Sequence, residues 1–161
     1  MALTPWAAAW FLPFVTPICI YVAWSDMKSM RIPNPSVVTL FVVFAVVGLI
    51  ALPFDTYLWR YLHLIVALLI GMVLNAGGLI GAGDAKFVAA AAPFVALQDL
   101  THVALIYATA LLAAWAAHRV AKHSALRRMY PDWESWTKEK DFPMGLALGP
   151  TLVIYLLSAL I

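Results

Sequence analysis

The chain has 161 residues, 65% hydrophobic and 11% charged, with ten Lys and Arg against eight Asp and Glu. Its mean hydropathy of +0.91 is too high, and its apolar residues too widely spread, for a water-soluble domain around one core. The lone cysteine, Cys19, excludes an internal disulfide and a cysteine-based zinc site, and the pI of about 8.8 reflects topology and anionic lipid, not nucleic acid.

Apolar stretches fall at 6–25, 36–54, 61–80, 86–97, 102–118 and 144–161. Open strand edges cannot be satisfied in lipid, so these stretches predict an all-α integral membrane protein. The expected architecture is a six-transmembrane-helix bundle forming a single domain over 1–161. The fourth stretch is short. Taken from Asp84 to Gln98 it has about fifteen residues, which requires a shallow entry or local bilayer thinning. Five spans with a re-entrant segment form the alternative, and charge decides between the two. With six spans, nine of the ten basic residues fall on one side and only Arg60 on the other. The positive-inside rule then puts both termini on the extracytoplasmic side. With five, the basic loop at about 119–143 would lie opposite Lys28 and Arg31.

The first span carries Pro5, Pro13 and Pro17; the last two, four residues apart, imply a bend. No basic region precedes it and no small-residue cleavage site follows, so it reads as a retained span. Cys19 within it reads as a small packing residue. After Asp26 the chain runs through Arg31-Ile32-Pro33-Asn34-Pro35-Ser36, where the prolines forbid a continuous helix and Asn34 or Ser36 can cap the next. The second span, rich in Val and Phe, reads as lipid-facing bulk. Tyr57, Trp59 and Tyr61 are expected as interface anchors at the outer turn. Asn75 ends the third span in a packing or substrate-contacting role, and Gly77, Gly78, Gly81 and Gly83 form a turn with almost no side-chain bulk. In the loop at about 119–143, Leu126, Met129, Tyr130, Trp133 and Trp136 recur at helical spacing interrupted by Pro131. This suits either a lid over a site or an amphipathic surface segment anchored by Trp133 and Trp136. No internal repeat argues for a duplicated transporter.

Two aspartates stand out. Asp26 closes the first span and Asp84 opens the fourth, and the topology puts both at one face of the membrane. A carboxylate at such a boundary must be hydrated, paired or used. Two that approach closely cannot both ionise easily, so one holds a proton near neutral pH. That state suits peptide hydrolysis, with one carboxylate taking a proton from water while the other gives one to the scissile carbonyl oxygen. Three readings stay open on this ground: a paired active site, two structural caps beside Lys28 and Lys86, or an ion or proton relay. Polar residues in mid-span are scarce, which weakens the relay. Other chemistries fare worse. The serines have no matching His and acid, no HExxH-type spacing exists, and Gly81–Lys86 lacks the order of a phosphate loop.

At these residues the chain resembles the type IV prepilin peptidase family of GxGD aspartyl proteases. It is closest to the short form serving Flp-type, tight-adherence pili. Asp26 with Arg31-Ile32-Pro33-Asn34 matches the family's first aspartate and the motif after it; Gly81-Ala82-Gly83-Asp84-Ala85-Lys86 matches the second. Phe142-Pro143-Met144-Gly145 resembles the proline–glycine entry to the last span, with Met144 where an aromatic is common. The resemblance implies a multi-pass protein of the bacterial inner membrane that removes the short basic leader from prepilins on the cytoplasmic side, after a glycine. Asp26 and Asp84 would be catalytic, with Lys28, Arg31, Pro33, Asn34, Gly81, Gly83, Lys86, Pro143 and Gly145 binding substrate or supporting them. Lys28 and Lys86 serve equally as solvated membrane-flanking lysines. The partners implied are a prepilin, with its hydrophobic N-terminal helix, and membrane lipid. Longer family members carry a cysteine-bearing cytoplasmic insertion and also N-methylate the new terminus. This chain has neither that insertion nor its cysteines, so proteolysis without methylation is expected, with no metal or cofactor. The alternative is a non-catalytic membrane assembly or transport subunit that keeps the fold.

Overall fold

The computed structural model of the protein describes residues 1–138 and 141–161. Each of the six apolar stretches forms helix, and no strand occurs among the described residues. The helices are α1 (Pro5–Ser29), α2 (Asn34–Ala51), α3 (Phe54–Ala76), α4 (Ala82–Ala91), α5 (Leu100–Lys122), α6 (Ala125–Met129) and α7 (Gly145–Ser158). Four stretches, α1, α2, α3 and the Leu97–Lys122 segment containing α5, are long and apolar enough to cross a membrane. They also leave large apolar side chains such as Ile20, Val73 and Leu112 exposed, a surface suited to lipid. The chain is therefore all-helical and multi-pass.

Local chemistry sets the helix ends. Thr4 caps α1 by accepting from the Ala7 N–H at 3.2 Å, with Pro5 in the first helical position. The helix runs unbroken through Pro13 and Pro17. It stops at Met30, whose φ of 51° is left-handed and whose N–H returns to the Asp26 carbonyl. The cap of α2 differs from expectation. Pro33 takes the cap position, Ser36 Oγ donates back to the Pro33 carbonyl at 2.7 Å, and the Asn34 side chain turns elsewhere. At the end of α3, Asn75 Nδ2 donates to the Ile80 carbonyl at 2.8 Å, so it serves the turn, and Gly78 supplies a φ of 71°.

The fourth element is not a plain helix. Pro93 has no N–H to continue α4, and the chain passes into a 3₁₀ turn (Ala92–Phe94), extended Val95 and Ala96, and a second 3₁₀ turn (Leu97–Asp99). Ten α residues rise about 15 Å, while the 3₁₀ and extended residues rise more steeply; together they reach about 33 Å. That is close to the ~37 Å of the 25-residue α1. The segment accordingly joins both ends of the bundle: Asp84 lines the same cavity as Asp26, and Asp99 meets Ala2 and Leu3.

Between helices in lipid there is little hydrophobic drive, so close packing and small residues hold the bundle. α7 packs chiefly on α1, where Gly149 lies so near the Cys19 carbonyl that an added Cβ would stand 2.8 Å from it. Cys19 is buried there as a packing residue. Phe11, Phe44 and Phe94 fill the centre, with the Phe11 and Phe94 rings edge-on at 4.8 Å. Tyr57 is not an interface anchor. It is buried, stacks on Phe44 at 5.5 Å and donates to the Ala45 carbonyl at 2.9 Å. Trp59 stays exposed. Nor is Trp136 a surface anchor: at 2% exposure it stacks on His118 and donates Nε1–H to the Tyr130 carbonyl. Helix in the 123–138 segment is confined to α6 and a 3₁₀ turn at Glu134–Trp136.

Candidate active site

Asp26 sits in the last turn of α1, 5% exposed. Its Oδ2 accepts the Gly145 N–H at 2.7 Å, so the N-terminus of α7 points at this carboxylate. Any larger residue at 145 would crowd this carboxylate. A Cβ there would stand 3.0 Å from the Asp26 Cβ and 3.1 Å from its Oδ2. Asp84 is the third residue of α4 and reaches back over its own helix N-terminus, where a Cβ on Gly81 would stand 2.7 Å from its Oδ2. Each aspartate thus lies at the positive end of a helix, one supplied by α7 and the other by α4.

Both line one open cavity of about 670 Å³. α4 is not among the four long helices, and Asp84 is half-buried at its mouth. Burial first, and the Asp26 charge second, push the Asp84 carboxyl up to about 6, against the Gly81 amide that pulls it down. A carboxyl in this range can hold a proton near neutral pH or release it.

The two sequence motifs interlock. Ile32 packs so closely on Gly83 that a Cβ there would stand 3.3 Å away, and Lys86 Nζ donates to Asn34 Oδ1 at 3.2 Å. Asp26, Arg31, Asn34, Gly81, Gly83, Asp84 and Lys86 all line the cavity. Pro33, Pro143 and Gly145 stand behind its wall: Pro33 at the cap of α2, Pro143 fully buried, Gly145 on Asp26. Lys28 is outside, with its Nζ 5.1 Å from the centre of the Trp24 ring. Three residues with a part here carried no sequence-level signal of it. Ser25 Oγ donates to the Arg31 carbonyl at 3.2 Å and ties the turn to α1, left-handed Met30 forms the wall beside Asp26, and Lys138 comes in from the long loop. Among the described residues no group of three or more His, Cys, Asp or Glu could hold a metal.

Two carboxylates lining one cavity between helix ends can exchange protons with a group bound there. The family model of the type IV leader peptidases matches residues 13–117, and the chain belongs to that family. No curated protein and no solved structure gives a significant match.

Proposed function

We propose that the protein is an aspartyl endopeptidase of the bacterial inner membrane that removes the leader from a prepilin at the cytoplasmic face, after a glycine, without N-methylation. The observation that carries this reading is the shared cavity in which Asp26, held by the Gly145 amide, and Asp84, at the start of α4, both present carboxyl groups. The deprotonated carboxylate takes a proton from water, whose oxygen attacks the scissile carbonyl carbon as the other carboxyl protonates the carbonyl oxygen. The resulting diol re-forms its C=O as one hydroxyl returns a proton to the carboxylate that had protonated the carbonyl, while the C–N bond breaks and the departing amine takes the proton first removed from water. The pair titrates as a unit, so neither role belongs to one residue alone. The cavity lies at the end of the bundle where the basic residues gather, the end that the positive-inside rule puts in the cytoplasm. On this reading all six apolar elements cross the bilayer, with the 3₁₀ and extended residues after α4 supplying the length that the fourth lacks as pure helix.

The test is processing of a co-expressed prepilin by wild type, Asp26→Asn and Asp84→Asn. Both variants are expected to lose cleavage by at least about 1,000-fold while remaining in the membrane. Normal processing by either one would overturn the scheme.

A further inference from the structure

Two helices meet at the aspartate cavity through one bond, the Gly145 N–H of α7 on Asp26 of α1. The fit leaves little slack, since a Cβ at Gly145 would already stand 3.0 Å from the Asp26 Cβ. A displacement of about 1 Å at a reacting group can cost about 100-fold in rate. Yet the chain leading into α7 brings no main-chain pairing of its own. Asp141, Phe142 and Met144 donate no backbone hydrogen bond among the described residues, and Pro143 has no N–H to give. Side chains must therefore set where α7 begins.

A stack of rings supplies that control. Phe142 meets the His118 ring edge-on at 5.8 Å, and His118 lies flat on Trp136 at 5.3 Å. Trp136 is itself fixed: Trp133 stacks on it at 5.7 Å, and its Nε1–H donates to the Tyr130 carbonyl at 2.8 Å. The turn that carries it, Glu134–Trp136, packs against α1, the helix of Asp26. His118 is buried, its Nε2 has no hydrogen-bond partner among the described residues, and its other ring nitrogen faces the Ser135 backbone. Close-packed rings hold one another's plane and separation. The stack thus runs from α1 through Trp136 and His118 to Phe142, three residues before Gly145. We propose that His118 and Trp136 are positioning residues for the aspartate pair, setting Phe142 and through it the Gly145 amide on Asp26. Neither lines the larger cavity, so both act through Phe142, which does. The effect on rate rests on the peptidase reading; the effect on geometry does not.

The experiment uses the full chain in detergent, with kcat and KM on a prepilin measured per folded molecule. His118→Ala is expected to lower kcat about tenfold with KM within about twofold of wild type. His118→Leu, which keeps bulk should the Ala variant fail to fold, and Trp136→Leu should lose about as much, while His118→Phe stays within about threefold. Where Gly145→Ala has already displaced the amide, adding His118→Ala should cost less than about threefold more. Normal kcat in His118→Leu and Trp136→Leu would overturn the proposal. So would the full tenfold loss on top of Gly145→Ala, because the stack would then act elsewhere. His118→Phe as slow as His118→Ala would assign the role to the ring nitrogens and overturn the packing account. A second readout needs no cleavage: amide hydrogen exchange over Phe142–Ala147, read by mass spectrometry, should quicken at least about tenfold in His118→Leu but not in His118→Phe. Unchanged exchange in His118→Leu would overturn the proposal whatever the chain cleaves. Quickened exchange in that variant, beside a wild type that cleaves no prepilin, would sink the peptidase reading and spare the stack.

Discussion

The bundle buries a carboxylate at each end and treats the two differently. Asp99, 6% exposed, accepts from the Ala2 and Leu3 amides at 2.9–3.1 Å and from the Tyr155 hydroxyl at 2.9 Å, four hydrogen bonds in all. Three donors make these four contacts, the Ala2 N–H being shared by both oxygens, so neither oxygen is left without a partner. Arg60, 5% exposed, lies within electrostatic reach and donates to the Pro93 carbonyl at 3.2 Å. Asp26 at the other end accepts one protein hydrogen bond among the described residues, and its cavity opens to water. Burial alone therefore does not mark a functional acid. What separates the two ends is unused acceptor capacity facing open space: the Asp99 end is a lock, and the Asp26 end keeps an open cavity before it.

The contrast can be attacked from both sides. The largest effect belongs to the Asn variants of Asp26 and Asp84, which should abolish processing and leave the fold intact. Next, Asp99→Ala strands two amides and a buried guanidinium. It should cost about 3–5 kcal/mol, read as a lower melting temperature in detergent, while the folded fraction keeps its rate per molecule. Loss of catalysis without loss of stability would erase the division between the two ends. Third, Gly145→Ala pushes a methyl against Asp26 and should slow processing about 10–100-fold with a modest change in melting. Fourth comes pH. Asp84, raised to about 6, keeps its proton in the folded state above the pH at which the unfolded chain loses it. Stability should therefore fall as pH rises from about 4 to about 6 and level off above, and Asp84→Asn should flatten that slope. The alkaline limb of kcat/KM should fall toward tenfold per pH unit once the pair has lost its shared proton. The smallest effect is reserved for Lys28→Gln. With its ammonium on Trp24 and outside the cavity, that variant should stay within about twofold of wild type in prepilin processing.

Sequence patterning carried much of this. Apolar length announced a helix in each of six stretches but not α6 or the break after Ala91, and the two aspartates were legible because so few charges compete with them. The motifs around them then proved to share one cavity, with Asn34 and Lys86 in contact. Other features depend on contacts that spacing does not encode. Tyr57 reads as a rim residue until its hydroxyl finds a carbonyl twelve positions back, on α2. Trp136 reads as part of an amphipathic stripe until His118 of α5 stacks on it at 5.3 Å. Arg60 gave its side of the bundle but not its burial, because Pro93 and Asp99 come from a segment more than thirty residues on. The grip of Gly145 on Asp26 joins positions 119 apart, and only the family motif hinted at it.

The mixed segment after α4 also works as a spacer of set length. It is fastened at one end by Asp99 and joins at the other the helix that carries Asp84, and Val95 and Ala96 between its tight turns are extended. Removing one of those two would draw Asp84 about 3 Å toward the far face while Asp26, on α1, stayed where it is. The depth match between the two acids is thereby entrusted to residues on the opposite side of the bundle from either of them.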